Sequence, residues 1–119
     1  MSGMSYEQGD IVLMYYPNTD LSTGKKRPAL VVSNSAFNSR QDDLITCLIT
    51  SNIEQDPLGV IIDFHDLSEG SLPVRSRIKP YRIFTAKKGV IEKKLGVISK
   101  RKLNETFEKI QKVIRPAVV

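Results

Sequence analysis

Cysteine and histidine are nearly absent from this chain, with one of each, and no apolar run approaches the length of a membrane span. A membrane helix needs roughly 20 consecutive apolar residues, so no membrane partner is expected. The single Cys47 lies inside the apolar run Leu44–Ile49 and reads as a buried thiol. One cysteine supports no disulfide framework, and no set of His, Cys or carboxylate residues has the spacing of a metal site, so no metal or other cofactor is expected. With no signal-peptide pattern either, the expected compartment is a reducing cytoplasm. Internal repeats and linker-like stretches are also missing, so residues 1–119 read as one domain with a modest core.

Acids are scarce in the second part of the chain. Residues 1–74 carry four cations and ten acids, a net −6, whereas residues 75–119 carry fourteen cations and three acids, a net +11. The overall +5 therefore hides a basic portion suited to a polyanionic partner, either a nucleic acid or an acidic protein segment. A solvated basic helix accounts for much of that excess, but not for the cations on strands.

Gly9-Asp10 leads into Ile11–Tyr16, a first strand ended by Pro17. Asn18–Lys26, rich in Asn, Asp, Ser, Thr and Gly, reads as a long exposed loop. After a strand from Arg27 to Ser33, Asn34–Asp43 reads as a polar connection with little regular structure. A third strand covers Leu44–Ile49 and a fourth Val60–Phe64, with Asp56-Pro57-Leu58-Gly59 as a turn between them. His65–Gly70 is turn-like, so His65 is not a favoured general base. Leu72–Phe84 reads as extended, with Pro80 marking a bulge or an edge. Alternation sets Arg75, Arg77 and Lys79 on one face, each about 7 Å from the next. Ala86–Leu95 reads as a short helix or turn stopped by Gly96. Ser99 then caps a helix to about Ile114, with Leu103, Phe107, Ile110 and Ile114 as its apolar stripe and Glu105–Lys109 and Glu108–Lys112 as i,i+4 pairs. Tyr15, Tyr16 and Tyr81 are either core rings or stacking platforms for bases. Five or more short strands with one terminal helix predict a small β-barrel capped by a helix.

The chain is organised around Lys25-Lys26-Arg27-Pro28-Ala29-Leu30-Val31-Val32-Ser33. Pro28 fixes its own φ and holds Arg27 extended at the mouth of a strand whose β-branched run suits burial on both faces. Arg27 is then either a solvated charge or a planar fork offered to a phosphate.

Gly9-Asp10-Ile11-Val12, the loop with Asp20-Leu21, Lys26–Ser33, Leu48-Ile49-Thr50-Ser51 and Arg82-Ile83-Phe84-Thr85 occur in an order and spacing that resembles the MazF/PemK family. The resemblance covers nearly the whole chain. It implies a mainly β fold with helices, an SH3-like barrel with a C-terminal helix, assembled as a homodimer. It also implies a toxin of a type II toxin–antitoxin pair, a metal-independent endoribonuclease of single-stranded RNA neutralised by an acidic antitoxin.

The residues it implies for catalysis are Arg27 and Thr50, with Ser51 beside them. Asp20, Lys25, Lys26, Arg75, Arg77 and Lys79 are the expected RNA contacts, the last three from the basic face that alternation gives them. Such chemistry is intelligible, because RNA brings its own nucleophile, the 2′-OH, and the protein must only align it, stabilise charge and move protons. Some family members carry an acid before the Arg82–Thr85 segment; here Arg75–Phe84 has none, with Lys79 or Tyr81 in its place, which leaves the general base unassigned. The rival readings are a non-catalytic barrel module binding nucleic acid or an acidic protein, and a gyrase-inhibiting relative on the same fold.

Overall fold

Ala29, Leu30 and Val31 are fully buried, the outcome expected for a short apolar run at the middle of a sheet. The computed structural model describes residues 5–16 and 25–117. Its strands are β1 (Asp10–Tyr16), β2 (Lys25–Val31), β3 (Asp43–Thr50), β4 (Val60–Ile62), β5 (Leu67–Gly70), β6 (Ser76–Lys87) and β7 (Ile91–Ile98). Helix α1 (Ser35–Arg40) lies between β2 and β3, and α2 (Lys100–Ile114) follows β7.

All strand pairs are antiparallel, in the order β4-β6-β3-β2-β1-β7-β5. The two outer strands, β4 and β5, are consecutive in the chain and joined through one 3-10 turn, Phe64–Asp66. The sheet thus curls into a nearly closed barrel whose seam is a single stretch of backbone.

The alternation of the strands makes two apolar clusters. One holds Ile11, Leu30, Cys47, Ile49, Ile62 and Ile78, and Leu103, Phe107 and Ile110 of α2 pack against it. The other holds Val12, Met14, Ala29, Val31, Leu44 and Ala86, with Tyr16 and Phe84 in contact at a ring separation of 4.9 Å. Strand β6 serves both, because its register against β3 shifts between Cys47 and Ile49, the pairing moving from Ile83 to Ile78. Pro80 sits inside that irregularity, as expected of a residue with no N–H to give to a ladder.

Helix α2 is capped by Ser99, whose hydroxyl accepts from Lys102 N–H. Ile114 does not join the apolar stripe: it is 63% exposed, past the edge of the barrel. Thr106 is buried instead, its hydroxyl donating to the Lys102 carbonyl. The ion pair within this helix among the described residues is Lys102–Glu105 at 3.4 Å, not the i,i+4 pairs anticipated.

Five further expectations give way. Asn34–Asp43 contains α1, nucleated by the Asn34 side chain accepting from Phe37 N–H and anchored by buried Asn38. Ala86–Leu95 is the end of β6, a 3-10 turn and the start of β7, so the chain runs as a hairpin there. His65–Gly70 includes strand β5, and the fourth strand stops at Ile62. Finally, β2 begins at Lys25, which places Lys25 and Lys26 beside Arg27 on the strand itself and not on the loop before it.

Candidate nucleic-acid interface

The central strands separate where the cations begin. Strand β2 pairs with β3 through Ala29–Leu48, Leu30–Cys47 and Val31–Thr46, and the ladder ends there. Pro28, next in line, has no N–H to continue it. Extending the register by two residues sets Arg27 opposite Thr50. Beyond that point β3 stays with β6, pairing Thr50 with Arg77, while β2 stays with β1, pairing Arg27 with Met14.

The gap is a cleft of about 340 Å³ lined by Lys25, Lys26, Arg27, Pro28, Ile49, Thr50, Ser51, Leu72, Pro73, Val74 and Ser76. Three predicted catalytic residues and two predicted RNA contacts therefore share one cavity.

Arg27 is half-buried and, among the described residues, its guanidinium makes no hydrogen bond or ion pair. Its five donors are free for an anion in the cleft. Thr50 Oγ1 accepts from Asn52 N–H at 3.1 Å, which fixes the hydroxyl in a turn and leaves its own proton to donate. Ser51 is exposed beside it. Lys26 pairs with Glu92 of β7 and stands 5.6 Å over the ring of its cross-strand neighbour Tyr15. The hydrogen bond from Lys26 lowers the Glu92 pKa, and the same bond raises that of Lys26. The opposite wall, Leu72-Pro73-Val74, is apolar except for backbone, and the Ser76 hydroxyl closes it by donating to the Val74 carbonyl. No carboxylate or histidine is among the described residues lining the cleft.

The row Arg75–Arg77–Lys79 does not form one free basic face. Arg75 is exposed and 3.7 Å from the Asp63 carboxylate. Arg77 is buried, with its guanidinium turned onto main-chain carbonyls, because the outer side of β6 is covered at that point by the connection from β3 to β4. Lys79 and Arg77 line a separate hollow of about 280 Å³ with Asn52, Glu54, Gln55, Asp56, Pro57 and Tyr81.

There the Tyr81 hydroxyl donates to Asp56 at 2.8 Å and accepts from Lys79 at 3.3 Å. That bond from Tyr81 is the main cause holding the Asp56 carboxyl below its usual pKa, with partial burial opposing it. Sequence reasoning missed both Glu92 and Asp56. Their signal was present only as charge complementarity to Lys26 and Lys79, without the pairing that reveals it.

Asp20 lies outside the described residues. His65 is exposed in the 3-10 turn at the seam, apart from the cleft lining. Burial holds Cys47 as a thiol with its pKa pushed up to about 12. Among the described residues, no group of three or more His, Cys, Asp or Glu side chains could hold a metal ion. No helix there is long and apolar enough to cross a membrane.

Solved structures with the same fold span nearly the whole chain. MazE–MazF (Form-III) from Deinococcus radiodurans superposes with a TM-score of 0.78 at 21% identity, covering 96% of this chain and 100% of that one. An endoribonuclease bound to its cognate antitoxin, from a mycobacterial species, gives 0.72 at 20% identity over 97% and 98% of the two chains. Toxin MazF-mt6 of Mycobacterium tuberculosis gives 0.73 at 15% identity over 92% and 99%. No curated protein matches the sequence significantly. Residues 7–114 match the model of the PemK-like, MazF-like toxins of type II toxin–antitoxin systems, and the chain belongs to that family.

Proposed function

We propose that this toxin is an endoribonuclease that cleaves single-stranded RNA without a metal ion, with Arg27 and Thr50 as its catalytic residues and Ser51 assisting. The observation that carries the reading is the ending of the β2–β3 ladder at Pro28, which leaves an unpaired guanidinium and a donor hydroxyl facing each other across a cationic cleft. In-line attack forms an O2′–P bond and breaks the P–O5′ bond, giving a 2′,3′-cyclic phosphate and a 5′-hydroxyl. Extra negative charge develops on the non-bridging oxygens, where the Arg27 fork supplies two parallel donors. The Thr50 hydroxyl orients the phosphate or the 2′-OH.

Lys25 and Lys26 in the cleft, with Arg75 and Lys79 at its flanks, carry the flanking phosphates. Their cationic surface also suits an acidic antitoxin segment, and RNA and antitoxin compete for it. The active form is a homodimer, as in the family. Incubating the purified protein with a long RNA in EDTA tests the reading. Cleavage at short sequences, lost in Arg27→Ala, is expected. Cleavage that stops in EDTA and returns with Mg²⁺ refutes metal independence, and no cleavage at all favours the non-catalytic module. Cleavage without added gyrase shows that the activity is not gyrase inhibition alone.

A further inference from the structure

Arg77 is 6% exposed, although it sits in the outward row of β6 and is permanently charged. A cation taken out of water is costly unless its hydrogens find acceptors. A single loop supplies them from its main chain. Nη1 donates to the Asp56 carbonyl at 2.8 Å and Nη2 to the Ile53 carbonyl at 3.1 Å, while Nε is buried without a partner. The stem runs beneath Gly59, where an added Cβ would lie 2.3 Å from Arg77 Cδ. The loop so held leaves β3 at Thr50, which is itself the cross-strand partner of Arg77 and is tied to the loop through Asn52 N–H. Tyr81 and Lys109 hold the same loop from the sides, at the Asp56 carboxylate and the Pro57 carbonyl.

We propose that Arg77 is a positioning residue: by gripping the carbonyls of Ile53 and Asp56 it sets how the 51–59 loop departs from β3, and so where the Thr50 hydroxyl stands, without touching RNA. The proposal rests on the reading that Thr50 belongs to the RNA-cleaving site. A guanidinium spans two carbonyls with a rigid fork, whereas a lysine ammonium is a point charge on a flexible stem and grips them less well. A displacement of order 1 Å at a positioning contact can cost up to about 10²-fold in rate.

The test uses the full chain with Arg77→Lys, and with Gly59→Ala, which keeps the cation but displaces its stem. Circular dichroism reports the fold, amide exchange reports the loop, and single-turnover cleavage over a range of RNA concentrations separates kcat from KM. Both variants should remain folded. The amides of Leu58 and Gly59, now bonded to Asp56, should exchange faster. Turnover should fall about 10- to 100-fold with KM within about twofold, as for an effect on the chemical step.

Unchanged exchange would show that Arg77 does not hold the loop. Faster exchange with unchanged turnover would show that the loop does not place Thr50. A raised KM with unchanged kcat would put Arg77 on the RNA itself. If Arg77→Lys does not fold, Gly59→Ala carries the same readouts. If Thr50→Val cuts as well as the native protein, the assignment of Thr50 fails and the proposal with it. The exchange data tell that outcome from a failure of the grip.

Discussion

Replacing Arg27 by alanine separates stability from catalysis. Its guanidinium has no partner among the described residues, so removing it orphans no buried group. Substitutions of that kind usually fall within about 0.5 kcal/mol. For a domain of this size that is a change in Tm of about 2–3 °C. If the fork meets the phosphoryl oxygens as their charge develops, its removal costs about 10²–10³ in rate, or roughly 2.7–4 kcal/mol of transition-state stabilisation. The two effects thus differ several-fold in free energy. Arg27→Lys keeps the charge and loses the fork, and should retain an intermediate rate.

Single-turnover cleavage of a short single-stranded RNA in EDTA, beside a thermal melt, measures both quantities. The loss should lie in kcat with KM little changed. Cleavage by Arg27→Ala within about threefold of native would remove Arg27 from the chemistry. A melt lowered by 10 °C or more would make it a structural residue.

Three other outcomes follow from the same geometry. Glu92→Gln should remove the carboxylate that competes with RNA phosphate for Lys26 and so strengthen RNA binding; filter binding at several salt concentrations reads it, and unchanged or weaker binding would take Lys26 off the RNA. Tyr81→Phe should remove a stabilisation that exists only while Asp56 is ionised. That carboxyl has its folded pKa lowered, so its contribution is full above the usual carboxylate range and is lost as pH falls through the lowered value. Native and variant melts should therefore differ at neutral pH and converge in acid, and a gap that persists or widens in acid contradicts the account. Cys47, with its pKa near 12, should alkylate about 10³-fold more slowly than an exposed thiol at pH 8, and at the ordinary rate once unfolded; fast labelling of the folded protein would show that the strand opens.

Much of this architecture was legible because it is local. The β-branched run after Pro28, the strands around Ile11, Ile45 and Ile61, and the Ser99 cap each state their structure within a few residues. Arg27 and Thr50 were singled out through family resemblance, and the structure sets them on the walls of one cleft. What escaped reading depends on partners distant in sequence.

Strand β7 was misread because Lys93 and Lys94 break its alternation and Gly96 looks like a stop. Gly96 is in fact small because β5 passes over it, a Cβ there lying 2.4 Å from the Glu69 carbonyl. Helix α1 is six residues long and depends on Asn38 reaching the Tyr6 and Ser33 carbonyls, bonds that no window over Asn34–Asp43 contains. Arg77 was placed outward by period-two alternation, correctly as geometry. What alternation cannot contain is that a loop 21 to 24 residues earlier covers that outward side.

The seam also bears on how the molecule comes apart. Both rims of the sheet belong to residues 60–70, so the ring is closed by covalent continuity where most sheets would need a hydrogen-bonded ladder. That joint is clasped to the start of α2: the Asp66 carbonyl accepts from Ser99 N–H at 2.7 Å, and its carboxylate accepts from Arg101 and from Asp63 N–H. A single proteolytic nick between Phe64 and Asp66 would therefore convert the ring into an open seven-stranded sheet, with β4 still paired to β6 and β5 to β7 but nothing covalent joining the two rims. The exposed stretch around His65 is thus the one place where a cut opens the ring without interrupting any strand.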